Sequence, residues 1–293
     1  MTISPSPSAH TPRPATLRAG VRRAAPALLL VLLAVAWMVP LRADDPGLRL
    51  SSSDRSHINQ LREVILSLPI GALVLVACDA DLGTYPEIRA ATRAVLSDLA
   101  GHGFRTAIVS YTPEGRAIAA AELDRISRTG ATPPADLGFV SGSEAGLVRG
   151  IASIVPDAAK GATVEAIRER GGGIGAFDLV VIASGGDISA RSWVEQVGAR
   201  LPDLKMAAIA PTFLDPELEP YLGSGQLVAL LATLREGVGY AEAIGGDGIS
   251  GRSATPAPLP MLVGMLVALA ALAEAAVRRG GTRLGRPTVG GRS

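Results

Sequence analysis

Acidic and hydroxyl side chains recur just after apolar runs in this chain, and that spacing is where oxygen-based chemistry could be assembled. Asp79, Asp81, Gly83 and Thr84 follow a run at 72–78, and Ser110 and Thr112 follow one at 106–110. Ser184, Gly185, Gly186 and Asp187 come after 177–183, and Thr212 and Asp215 after 205–210. Carboxylates drawn from separate strand ends suit a hard cation such as Mg²⁺, which takes oxygen ligands. The same residues have a plainer use, because aspartates after parallel strands commonly serve turns and helix N-caps. Asp187 and Asp215 are placed for the second role.

Other catalytic schemes find fewer parts. The histidines are His10, His57 and His102, and His102 sits between glycines at a helix end, where it caps. A Ser-His-Asp arrangement lacks the Gly-x-Ser-x-Gly elbow. Gly171, Gly172, Gly173 and Gly175 precede a strand, whereas a dinucleotide fingerprint follows one and opens a helix, so they read as a flexible linker. Trp193-Val194-Glu195-Gln196 and Ser224-Gly225-Gln226-Leu227 read first as core packing and ordinary capping.

The elements that would position these residues alternate. Ile58, Leu61, Val64, Ile65 and Leu68 recur at helical spacing, and Pro69 closes that helix. The run at 72–78 is apolar throughout, as in strands buried on both faces, and Cys78 reads as a small buried residue within it. Thr84-Tyr85-Pro86-Glu87 has the form of a capping box, and Ile88, Ala91, Val95 and Leu99 form the face of the helix that follows. Strands at 106–110, 137–140, 177–183 and 205–210 alternate with helices opened by Thr112-Pro113-Glu114, by Ser143-Glu144, through Trp193, and by Asp215-Pro216-Glu217. Residues 156–175 read as a mobile helix-and-loop insertion. Leu227, Leu230, Leu231, Leu234 and Val238 give a last amphipathic helix. The alternation predicts an α/β fold: a three-layer, doubly wound, Rossmann-like parallel sheet of about five strands in the order 3-2-1-4-5. Its ligand crevice would lie beyond the carboxyl ends of the first and fourth strands, beside Asp81, Gly83, Thr84, Ser110, Thr112, Ser184, Gly185 and Asp187.

Two resemblances bear on that crevice. Asp79-Ala80-Asp81, Ser110 and Gly186-Asp187 resemble the three short motifs of haloacid-dehalogenase-like phosphohydrolases. The resemblance implies Asp79 as nucleophile, Asp81 as general acid/base, and Asp79, Asp81 and Asp187 around Mg²⁺. Gly83 stands where that family has Thr or Val, and its lysine has no convincing counterpart: of the two lysines, Lys205 opens a strand at the wrong end of the sheet and Lys160 lies in the insertion at 156–175. A wider pattern is similar to uncharacterised bacterial membrane-anchored proteins with one transmembrane span at each end of an extracytoplasmic domain. It comprises Asp81, Gly83 and Glu87; Ser110, Pro113 and Gly115; Trp193, Glu195 and Gln196; and Tyr221, Ser224, Gly225, Gln226 and Leu227. This second resemblance implies an architecture and no activity, and it does not depend on Asp79 and Asp81 together.

Charge and hydropathy set the wider frame. The stretch at 24–41 follows Arg13, Arg18, Arg22 and Arg23, and the stretch at 259–277 precedes Arg278, Arg279, Arg283, Arg286 and Arg292. Arginine-rich flanks stay on the cytoplasmic side of a membrane, so both termini are expected inside and 44–257 outside. The first stretch has a 13-residue apolar core between Pro26 and Pro40, which suits either an uncleaved anchor or a cleaved signal. The second, at 19 residues, is the clearer span. Around them the expected organisation is a disordered cytoplasmic tail at 1–23, an extracytoplasmic domain at 44–244, a flexible linker at 245–258 and a basic cytoplasmic tail at 278–293.

Nine of the 28 basic side chains lie in the two flanks and one of the 27 acidic ones in the second stretch, which leaves 19 basic against 26 acidic between them. That acidic surface disfavours nucleic acid. With one cysteine, no intrachain disulfide forms, and an exported domain must be held by packing. The leading expectation is therefore a membrane-tethered extracytoplasmic domain with a non-catalytic binding, sensing or assembly role and no cofactor. Its partners would be the bilayer, through two spans, and a membrane protein. The alternative is a Mg²⁺-dependent phosphohydrolase.

Overall fold

The computed structural model describes residues 49–245. The expectations for both tails, both apolar stretches and nearly all of the linker fall outside these residues. Among those described, no helix is long and apolar enough to cross a membrane.

In chain order the elements are α1 (Ser52–Leu66), β1 (Leu73–Asp79), α2 (Tyr85–Gly101), β2 (Arg105–Ser110), α3 (Pro113–Arg128), β3 (Ala135–Phe139) and α4 (Ser143–Ala152). Then follow α5 (Ala162–Glu169), β4 (Leu179–Ser184), α6 (Ala190–Trp193, continued by a wider turn over Val194–Gly198), β5 (Met206–Ile209), α7 (Asp215–Gly223), β6 (Ala229–Leu231) and α8 (Leu234–Ala243). All six strands are parallel and lie in the order β3-β2-β1-β4-β5-β6. β1 and β4 are buried at every position, as their uninterrupted apolar sequences require.

Alternation along the strands feeds two cores. Val74, Val76, Cys78, Val181 and Ala183 pack with α1, α2, α3 and α8 on one face. Leu73, Leu75, Ala77, Val180 and Ile182 pack with α4, α5, α6 and α7 on the other. The three-layer, doubly wound expectation therefore holds, with one strand more than expected.

That sixth strand is a correction. The leucines at 227–234 have helical spacing, yet Ala229–Leu231 pairs beside β5 and is wholly buried. The helix begins only after Thr233, whose side chain accepts from the Glu236 amide while the Glu236 carboxylate accepts from the Thr233 amide. Short apolar runs satisfy both periods, and the capping box fixes where the helix can start.

The glycines at 171–175 are also not a linker. Ile154 donates its amide to the Gly172 carbonyl, and a 3₁₀ turn at Ile174–Ala176 buries Ile174 and Ala176. The expected insertion thus contains α5, whose Val164 and Ile167 join the second core. Cys78 and Trp193 are buried, in line with their reading as core residues.

Candidate functional site

β1 and β4 are neighbours, and the chain leaves them in opposite lateral directions, to β2 and β5. Their carboxyl ends therefore form the switch point at which such sheets hold ligands. Asp79 lies directly across from Ser184 there.

Asp79 does not face the crevice. It is fully buried and turned into the layer of α6, where one carboxylate oxygen accepts from the Tyr111 amide at 2.6 Å and the other from Trp193 Nε1 at 3.2 Å. Tyr111 and Trp193 meet edge to face beside it, with ring centroids 5.5 Å apart. Burial pushes the Asp79 carboxyl up to about 7, and the donated hydrogen bonds from Tyr111, Trp193 and Thr112 offset only part of that.

Asp81 has a different set of partners. Its Oδ1 accepts from the Thr84 amide at 2.7 Å and from Thr84 Oγ1 at 3.0 Å. Thr84 Oγ1 also reaches across to the Gly185 carbonyl at 3.3 Å. This is why the capping box expected at Thr84 does not form: its hydroxyl is spent on the crevice, and its side chain caps nothing. Glu87, the other half of that box, instead accepts from the amide and hydroxyl of Thr212, at 2.8 and 2.5 Å. Helix α2 still begins there, with Pro86 in its first turn.

Gly185 is required by this closure. A Cβ there would stand 2.9 Å from Thr84 Cβ and 3.3 Å from Pro211 Cδ. The loops after β1, β4 and β5 are thus joined across the switch point by Thr84, Gly185, Pro211 and the Glu87–Thr212 pair.

The remaining expected residues divide. Thr112 accepts from the Gly115 amide at 3.1 Å and caps α3, as its sequence predicts. Ser110 and Ser184 are fully buried, and neither hydroxyl has a hydrogen-bond partner among the described residues. They follow Val109 and Ala183, which belong to different cores, so they lie on opposite faces of the sheet and do not converge. Gly83 and Asp187 are exposed. Asp187 is not the N-cap of α6, because Ser189 holds that position. Asp215 is likewise the first residue of α7 rather than its cap.

The magnesium implied by the phosphohydrolase resemblance does not fit these residues. Asp79 is committed to two buried donors in one layer, while Asp81 bonds Thr84 through Oδ1 in a loop on the crevice side. Among the described residues, no three His, Cys, Asp or Glu side chains come together as metal ligands.

Several features of this region have no short-range signature in the sequence. The pairing of Asp79 with Trp193 spans 114 residues, and that of Glu87 with Thr212 spans 125. Leu82 and Phe213, on the loops after β1 and β5, are exposed. A separate cavity of about 180 Å³ lies at the other end of the sheet, among Arg62, Leu66, Asp98, His102, Ala243 and Ile244, and contains none of the expected residues.

Comparison with protein-family models, with curated proteins and with solved structures found no match to this chain.

Proposed function

We propose that this chain is a membrane-tethered α/β domain, displayed outside the cell membrane, that acts by non-catalytic binding or assembly. The observation that carries the reading is the closed switch point. Where an enzyme of this architecture would present a substrate crevice, Thr84 bridges Asp81 and Gly185, and Asp79 is turned away beneath Trp193. A nucleophilic carboxylate must reach its substrate, and this one is sealed behind α6.

The arginine-flanked stretches at 24–41 and 259–277 support the tethering, and the acidic balance between them supports a protein or small-molecule partner over nucleic acid. The test is hydrolysis of p-nitrophenyl phosphate by the full chain in mild detergent with Mg²⁺. No turnover above the Asp79→Asn variant is expected. Turnover abolished by Asp79→Asn would overturn the non-catalytic reading in favour of the phosphohydrolase.

A further inference from the structure

We propose that the loops closing the switch point form a docking surface for a basic polypeptide segment that carries apolar side chains. This deepens the binding role above and rests on that reading. Leu82 is 67% exposed and Phe213 64% exposed. Both sit on the loops that Thr84, Gly185 and Pro211 hold together, with Glu87 accepting twice from Thr212 beside Phe213. Large apolar side chains on a surface fixed by hydrogen bonds are available without reordering, which favours docking.

The charge around them is mainly acidic. Asp187 follows β4, and Glu114, Glu144 and Glu217 lie in the first turns of α3, α4 and α7 at the same end of the sheet. Of the arginines at this end, Arg116 is engaged with Asp136, Arg235 with Asp54, Arg191 with both Glu195 and Glu217, and Arg149 with the Ser141 carbonyl. Acids at helix N-termini complement the helix dipole, which accounts for the glutamates. It does not account for a leucine and a phenylalanine exposed among them. An acidic surface with apolar centres selects a partner with the opposite charge and matching apolar groups. Of the other exposed large apolar side chains among the described residues, Leu66 and Ile70 lie at the opposite end of the sheet, and Phe139 ends the edge strand β3.

The test uses the full chain in phosphatidylcholine nanodiscs and a fluorescein-labelled 18-residue Leu/Lys peptide, read by anisotropy against empty nanodiscs. Control peptides are Leu/Glu and Ser/Lys. Saturable binding of the Leu/Lys peptide alone is expected. Leu82→Ser with Phe213→Ser should weaken it at least about tenfold with an unchanged thermal midpoint, since both side chains are exposed. Asp187→Asn with Glu217→Gln should weaken it and flatten its salt dependence. Equal binding of either control peptide, or unchanged binding by the Leu82/Phe213 variant, overturns the proposal. So does a Leu82/Phe213 variant that binds the peptide normally but turns a dimer into a monomer, because the occupant is then a second copy of the chain. Phosphate-ester turnover is scored separately, so failure of the docking surface and failure of the non-catalytic reading are distinct results.

Discussion

Two buried carboxylates show how partners decide the fate of a charge. Glu122 would be raised by burial, but Arg93 and Arg125 donate to it, Tyr85 adds a further bond, and its carboxyl ends below the ordinary range. Among the described residues the partners of Asp79 are amide and indole donors and no cation, and burial carries it from 3.8 to about 7. Between these two values the folded protein keeps a proton that the unfolded chain has lost. Stability therefore falls as pH rises through this window and levels off above it. The window corresponds to roughly 4 kcal/mol. In Asp79→Asn that dependence disappears, while the amide oxygen can still accept from Tyr111. The difference in thermal midpoint between wild type and variant should favour the wild type at pH 4.5 and shrink steadily towards pH 7.5. Parallel curves across that range would show that Asp79 titrates normally.

At the scale of elements, packing at the strand ends fixes where helices may sit. Helix α3 approaches β1 so closely that a Cβ on Gly115 would overlap the Cys78 carbonyl, whose carbon would be 2.9 Å away. Neither backbone can yield, so Gly115→Ala should cost about 3 kcal/mol or more, read as a lowered midpoint in urea. Gly101, near the end of α2, has nothing within 4 Å of its Cβ position, and Gly101→Ala should stabilise by about 0.5 to 1 kcal/mol. If both substitutions cost the same, the close approach of α3 to β1 is not a constraint.

Much of this arrangement was legible in the sequence. The apolar runs of β1 and β4 announce buried parallel strands, and Thr112-Pro113 marks the start of α3. What was not legible depends on long-range choice. Asp79 ends a strand buried on both faces, so its position does not say whether it enters the core of α6 or faces the crevice. Thr84-Tyr85-Pro86-Glu87 satisfies a local rule that tertiary partners override, with Gly185 and Thr212 claiming the two side chains. The β6 run fits helix and strand alike until the Thr233 cap separates them.

For the whole molecule, the described domain joins its first and last helices. His57 of α1 meets Glu236 of α8 at 2.7 Å, and the same carboxylate accepts from the Ala232 and Thr233 amides. Leu50 and Ile58 pack where a side chain on Gly239 would stand. The domain is therefore closed on itself by packing and hydrogen bonds, without a disulfide. Its single cysteine makes the proposed topology directly measurable. Cys78 is buried in β1 and its thiol is pushed up to about 12, chiefly by burial and then by Asp79, so it stays protonated and shielded from maleimides. Any cysteine added elsewhere becomes the one reactive position in the chain. If the arginines hold both ends inside, as the proposed topology requires, Ser253→Cys should react with a membrane-impermeant maleimide in intact cells. Ser6→Cys should react only after permeabilisation if the stretch at 24–41 is an anchor. If that stretch is a cleaved signal, position 6 is missing from the mature protein and the mass falls accordingly. Labelling of position 6 but not 253 in intact cells would invert the topology and remove the basis for placing the domain outside.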